Sequence, residues 1–274
     1  MAHRPIITLT TDFGSNDHYV GTMKGVILEI VPEAAIVDIC HSVQAFDVLD
    51  GALTISQAYS YFPTGTVHVV VVDPGVGSSR RPIVASSDGF HFVAPDNGVL
   101  SLVYARESRM HVRHITSEHY FRTPVSNTFH GRDIFAPVAA YLAKQVDTIK
   151  FGEEIEDFVR FNAPKPKQIE PNRLRGVVLK VDRFGNLVTN ITPEDAPILL
   201  QADSGCKIFV GTREVAGLRK SYAEGTPGEL FGILGSMGFL EIAINRGAAA
   251  QLAGAGKGTE VSIVTGGAAA ATGA

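Results

Sequence analysis

Val69 to Val72 is a run of four valines, and it restricts the fold of this chain more than any other stretch. Consecutive β-branched side chains leave no polar face, so the strand belongs inside a sheet covered on both sides, as in α/β proteins. The run ends at Asp73-Pro74-Gly75-Val76-Gly77-Ser78-Ser79-Arg80-Arg81, a turn carrying one acid and two bases. In open α/β sheets ligands gather at the carboxyl ends of strands, and glycines let a loop backbone come close to them. Asp-Pro-Gly alone is ordinary turn chemistry. What argues for more is the company it keeps along the chain.

Ile6 to Thr10 reads as a first strand running into Thr11-Asp12-Phe13-Gly14, and Asp17 to Val31 follows as a helix with Val20, Met23, Ile27 and Ile30 at helical spacing, stopped by Pro32. Ala35 to Ile39 is a second strand and Val48 to Tyr61 a second helix, ended by Pro63-Thr64-Gly65. This alternation predicts a mostly parallel sheet with right-handed crossovers. Ile83 to Ser86 and Phe90 to Ala94, around Ser87-Asp88-Gly89, read as an appended hairpin. Pro95-Asp96-Asn97-Gly98 is a further turn, followed by a short helix from Val99 to Ala105. Glu107 to Asn127 is polar, and His111, His114 and His119 in it match no ligand spacing, so they are expected on a solvated surface. Thr128-Phe129-His130-Gly131-Arg132-Asp133 instead opens an apolar helix, Ile134 to Ala143, where free backbone N–H groups are presented.

The proline-rich, polar stretch 163–173 predicts a linker between an α/β catalytic domain, 1–162, and a smaller, mostly β domain, 174–265. The β domain is expected from short apolar runs at Leu174 to Val181, Lys207 to Val210, Leu230 to Leu234, Phe239 to Ile244 and Thr259 to Val264. The tail 266–274 holds only glycine, alanine and threonine and is expected to be disordered. A length of 274 residues at 45% hydrophobic content supplies core for two domains. A formal charge of -4 without a basic run argues against nucleic acid or anionic membrane as partner and for a small molecule. The two cysteines, Cys40 and Cys206, lie far apart, which suits a reducing, cytoplasmic setting. The residues before Thr10 are too few and too threonine-rich to read as a secretory or membrane segment.

Asp12, Asp73, Arg80 and His130 all fall where an open sheet collects its ligand. A carboxylate, a guanidinium and an imidazole together can orient a water, hold a developing hydroxide and receive a proton. A metal site built from Asp73, Asp96, His130 and Asp133 is the competing chemistry; it has no paired ligand spacing, and Arg80, Arg81 and Arg132 would repel the cation. For Asp133 the expected role is that of a first-turn acid favoured by the helix dipole. A phosphate cradle at Gly75 to Arg80 lacks both the P-loop lysine and the dinucleotide glycine spacing. Further along, Val181-Asp182-Arg183-Phe184-Gly185-Asn186 reads as a hairpin turn, and Glu241 in the alternating run from Ser236 to Asn245 as a strand residue that could simply face solvent.

Six ordered motifs carry a resemblance. They are Leu9 to Gly14, Asp73 to Gly77 with Arg80 beyond, Pro95 to Gly98, Thr128 to Phe135, Asp182 to Asn186, and the Leu-Glu-Ile-Ala strand at Leu240 to Ala243. Together they resemble the adenosine-forming S-adenosyl-L-methionine (SAM) hydrolases, also called SAM hydroxide adenosyltransferases, relatives of the fluorinase and chlorinase. The resemblance implies a homotrimer in which SAM lies between the α/β domain of one subunit and the β domain of the next. It also implies attack of water or hydroxide on the ribose 5′ carbon with loss of methionine, and no metal or other cofactor. By the same resemblance Asp73, Arg80 and His130 correspond to the catalytic triad and Asp12 to the acid that grips the ribose. Asp182, Phe184 and Asn186 then hold the methionine part or the sugar, Ser236, Glu241 and Ile244 complete the methionine and adenine sites, and Tyr222 lies near the ring. The halogenases carry tyrosine where Asp73 stands, and the fluorinase serine where Gly131 stands, so the chain sorts with the hydrolases. A SAM or adenosine sensor with little turnover is the alternative from another class.

Overall fold

The computed structural model describes residues 4–201 and 205–265; no helix among them is long and apolar enough to cross a membrane. The chain divides into two compact units, with the boundary between Asn162 and Ala163. The tail expected to be disordered lies outside the described residues.

The first unit contains β1 (Ile6–Thr11), β2 (Ala35–Cys40), β3 (Val67–Val71), β4 (Pro82–Ser86), β5 (His91–Pro95) and β6 (His111–His114), in the sheet order β2-β1-β3-β5-β4-β6. β2, β1, β3 and β5 are mutually parallel, while β4 runs antiparallel to both its neighbours. The helices are α1 (Tyr19–Ile30), α2 (Val48–Ala58), α3 (Ser101–Tyr104) and α4 (Ala136–Ala143). Every residue of β3 is buried, and its pleat feeds two cores. Val67, Val69 and Val71 pack with Met23 and Ile27 of α1 and Val138 of α4. Val70 and Val72 pack with Ile55 of α2 and Val103 of α3 on the other face. Each buried valine contributes about 1.5–3 kcal/mol, so this strand secures both helical layers. α2 can lie against the end of β3 because residue 51 is glycine: a Cβ there would stand 2.9 Å from Val72 Cγ2.

The polar stretch that holds His111, His114 and His119 contributes β6, which begins at His111, ends at His114 and pairs with β4. His111 and His119 are exposed, as expected of a solvated surface, and His114 is half-buried. The helix expected from Ile134 begins earlier, as one turn of π-helix at Gly131–Phe135 that leads into α4. Pro137 has no N–H to give the Asp133 carbonyl four residues back, and that carbonyl accepts the Arg122 N–H at 2.8 Å instead.

The second unit is mostly strand. β7 (Lys167–Glu170), β8 (Arg173–Val181), β9 (Leu187–Thr189), β10 (Lys207–Val210), β11 (Arg213–Val215), β12 (Leu218–Arg219), β13 (Phe231–Leu234), β14 (Leu240–Ala243) and β15 (Glu260–Val264) follow the order β11-β10-β15-β8-β9-β14-β13-β12, with β7 beside β8. One core, including Val178, Leu187, Ile208, Leu240, Ile242 and Ile263, lines this sheet. The stretch 163–173 is therefore more than a linker: Lys167 to Glu170 pair antiparallel with Arg173 to Arg175. All four residues of β7 are exposed, so its pairing rests on backbone hydrogen bonds that leave no apolar pattern in the sequence.

Candidate active site

β1 and β3 are adjacent and parallel, with Thr11 opposite Val71. Asp12 and Asp73 consequently leave the sheet at the same edge. The loop after β3 doubles back on itself, Val76 N–H donating to the Asp73 carbonyl at 3.2 Å and Ser78 N–H to that of Gly75 at 3.0 Å. Gly77 has φ +76°, and a Cβ on it would meet the Asn127 carbonyl oxygen at 2.3 Å. This close approach brings the loop beside the chain that leads to His130.

There Arg80 joins two elements. Its Nε donates to both Asp73 carboxylate oxygens, at 3.0 and 2.9 Å, and its Nη2 bonds Oδ2 as well. The same Nη2 lies 2.6 Å from His130 Nδ1. A guanidinium only donates, so Nδ1 accepts and the neutral ring carries its proton on Nε2. Arg80 and Asp73 side chains are 8% and 5% exposed, and Phe135 covers the guanidinium with its centroid at 5.3 Å. Arg80 Nη1 is buried with no hydrogen-bond partner among the described residues. Burial, and then the charge of Arg80, hold the His130 pKa below its ordinary value, against the opposing pull of Asp73 and Asp133. The imidazole is therefore neutral at neutral pH.

The adjacent Arg81 points elsewhere, to Asp96 at 2.7 Å and Asp157 at 2.8 Å. Asp133 is fully buried, with Arg132 at 2.6 Å and the Ser126 N–H at 2.8 Å. All four members of the metal alternative are thus engaged by arginines, Asp73 and His130 by Arg80, Asp96 by Arg81 and Asp133 by Arg132, and among the described residues no three His, Cys, Asp or Glu groups converge as a metal site would require. Asn97 supports the end of β3, its Nδ2 donating to the Val72 carbonyl at 2.8 Å. Asp12 accepts the Phe46 N–H at 2.9 Å. Phe46 has no role in the reading from sequence; it is 73% exposed and holds a left-handed φ of 65°, a strained conformation for a residue other than glycine. Its only signal was an aromatic ring set among polar loop residues.

Asp182, Phe184, Asn186, Tyr222, Ser236, Glu241 and Ile244 all line one cavity of about 750 Å³ in the second unit, together with Met237, Arg246 and Gly247. The Asp182 carboxylate shapes the turn between β8 and β9 by accepting the N–H groups of Phe184 at 2.9 Å and Asn186 at 2.8 Å, and Asn186 Nδ2 at 2.9 Å. Phe184 projects from that turn, largely exposed. Glu241 does not face solvent: it is buried in β14, and the Tyr222 hydroxyl donates to it at 2.9 Å. Burial raises the Glu241 pKa and Asp182 adds to the rise, against the lowering effect of Tyr222. Tyr222 is pushed up to about 12 by burial and by Glu241. Met237 has no sequence signal beyond its place within the alternating run, and Arg246 none beyond following it.

Comparison with known proteins agrees with this arrangement in both units. Residues 7–152 match the model of the SAM hydroxide adenosyltransferase N-terminal domain, and residues 176–262 that of its C-terminal domain. The (R)-S-adenosyl-L-methionine hydrolase of Methanocaldococcus jannaschii is 36% identical over 250 residues, 86% of this chain and 87% of the relative. A fluorinase of Nocardia brasiliensis is 30% identical over 273 residues, covering 88% of this chain and 91% of its own. The crystal structure of an uncharacterized conserved protein from Thermotoga maritima superposes with a TM-score of 0.87 at 38% identity, covering 94% of this chain and 99% of that one. With both domain models matched in order across most of its length, the chain belongs to the SAM hydroxide adenosyltransferase family.

Proposed function

We propose that this protein is an enzyme that hydrolyses S-adenosyl-L-methionine to adenosine and L-methionine, with Asp73, Arg80 and His130 as catalytic residues. The observation that carries the reading is the single guanidinium of Arg80, held by Asp73 and shared with a neutral His130. In this mechanism Arg80 Nη1–H and His130 Nε2–H are donors for an oxygen nucleophile, and Asp73 fixes the guanidinium that favours hydroxide over water. The oxygen forms a bond to the ribose 5′ carbon as the carbon–sulfur bond breaks. The electron pair stays on sulfur, which leaves as a neutral thioether, and one proton from water passes to solvent. Nothing in this balance calls for a cofactor. Asp12 grips the ribose hydroxyls, and Asp182, Phe184, Asn186, Tyr222, Ser236, Glu241 and Ile244 hold the rest of the substrate. The curated relatives named as hydrolases support this reading, being 34–36% identical over most of the chain.

A halide nucleophile fits less well, because the buried carboxylate of Asp73 would repel it. The family resemblance supports a homotrimer whose sites each draw on two subunits, and the wide separation of Cys40 and Cys206 along the chain suits a cytoplasmic setting. Incubating stoichiometric protein with SAM in ¹⁸O-water tests the chemistry: labelled adenosine and free methionine are expected. Intact SAM after long incubation would mean a sensor, and a 5′-halogenated nucleoside formed with added halide would mean a halogenase.

A further inference from the structure

Asp12 sits between Thr11 and Phe13, and the loop that holds all three is tied to the loop after β2. Gly14 N–H donates to the His41 carbonyl at 2.7 Å, and Val43 N–H to that of Thr11 at 3.4 Å. The side chains make a longer chain of contacts. Lys24 of α1 donates to Asp38 Oδ2 at 2.6 Å, and Asp38 Oδ1 lies 3.0 Å from His41 Nε2. That second approach is short but not aligned as a hydrogen bond, so it acts as an ionic or dipolar contact. His41 Nδ1 is 2.9 Å from the Thr11 hydroxyl, which accepts the Phe13 N–H at 3.2 Å. Burial tends to raise the Asp38 pKa, but Lys24 and His41 outweigh it and hold it low, so the carboxylate is charged beside the ring. A lone pair on Nε2 would face that charge. Nε2 therefore carries hydrogen, and in the neutral ring Nδ1 accepts the Thr11 hydroxyl.

We infer that His41 is a positioning residue: the chain from Lys24 through Asp38, His41 and Thr11 sets where the Asp12 carboxylate meets the 2′,3′-diol of a bound nucleoside. The inference rests on the reading that Asp12 grips that diol. The Thr11 hydroxyl and the Phe13 N–H close a local turn around Asp12, and Thr11 is fully buried, so among the described residues the His41 ring is the acceptor that fixes the direction of the hydroxyl proton. Without the ring the hydroxyl is free to turn, the tie to Phe13 loosens, and the carboxylate loses its fixed direction.

Calorimetric binding of adenosine and of 2′,3′-dideoxyadenosine to the full-length protein tests this. Wild type should prefer adenosine, and Asp12→Ala should abolish the preference. His41→Ala should lower it about tenfold through adenosine alone, leaving the dideoxy ligand and kcat at saturating SAM within about twofold. His41→Asn should restore the preference, because its amide oxygen can stand near Nδ1 and accept the Thr11 hydroxyl. An undiminished preference in His41→Ala, or equal loss of both ligands, overturns the inference. A preference that survives Asp12→Ala overturns the underlying reading of Asp12 instead. Should His41→Ala not fold, Asp38→Asn at an exposed position is read in the same way: a lowered preference supports the positioning chain, and an unchanged one overturns it.

Discussion

Arg80 and Arg81 are neighbours with separate tasks. Arg80 bridges Asp73 and His130, so Arg80→Ala and His130→Ala should each lower kcat by about 10²–10⁴-fold while SAM affinity changes little. Asp12→Ala should instead weaken SAM and adenosine binding, and isothermal titration beside steady-state kinetics separates the two patterns. Arg81→Ala should spare the chemistry, yet it strips the buried Asp96 of its ion pair and is expected to cost about 1–3 kcal/mol in urea unfolding. A loss of turnover in Arg81→Ala comparable to that in Arg80→Ala would move the catalytic role. As the second residue of β3, His68 is fully buried, 2.7 Å from the Thr8 hydroxyl, and burial pushes its pKa from 6.5 to about 3. The unfolded chain takes up a proton below the ordinary value that the folded chain refuses until far lower, so stability falls as pH drops through that window. At pH 5 the loss is about 2 kcal/mol, from about 1.4 kcal/mol per unit. His68→Phe should flatten this slope, and equal slopes in both proteins would place the acid sensitivity elsewhere.

Where the elements meet, a glycine decides whether the triad assembles. Gly77→Ala adds a Cβ against the Asn127 carbonyl at a left-handed φ, a strain of about 1–3 kcal/mol in the segment that carries Arg80 toward His130. At least a tenfold fall in turnover is expected, with the affinity for adenosine retained; full activity would show that the loop does not set the spacing. This dependence explains what could be read from the chain. β3 was legible because four valines admit one environment, and Asp73 because it ends that strand. That Arg80 and His130 fall where an open sheet collects its ligand is legible from their places after a strand and before a helix, but their direct contact is not, since it arises from a loop approach between residues 50 positions apart. β6 is too short to show a period, and β7 has no buried side chain. Glu241 looked solvent-facing because alternation cannot show that Tyr222 covers it.

At the scale of the molecule, the proposed catalytic set lies in the first unit and the cavity lined by Asn186 in the second. If the proposed trimer shares its sites between subunits, inactive Asp73→Ala and inactive Asn186→Ala chains should regain partial activity when co-assembled. Mixed samples that stay inactive, or a fully active monomer by light scattering, would refute the shared site. The neighbouring parallel strands β1 and β3, about 4.8 Å apart, deliver Asp12 and Asp73 from their carboxyl ends, yet each acid belongs to a separate connecting loop. Inheritance can therefore act on the two loops independently. In the proposed mechanism the segment after β3 selects the attacking species, so substitutions there would change it while the segment after β1 keeps its hold on the nucleoside. A lineage that includes both hydrolases and fluorinases is what such a division of labour between adjacent strands makes accessible.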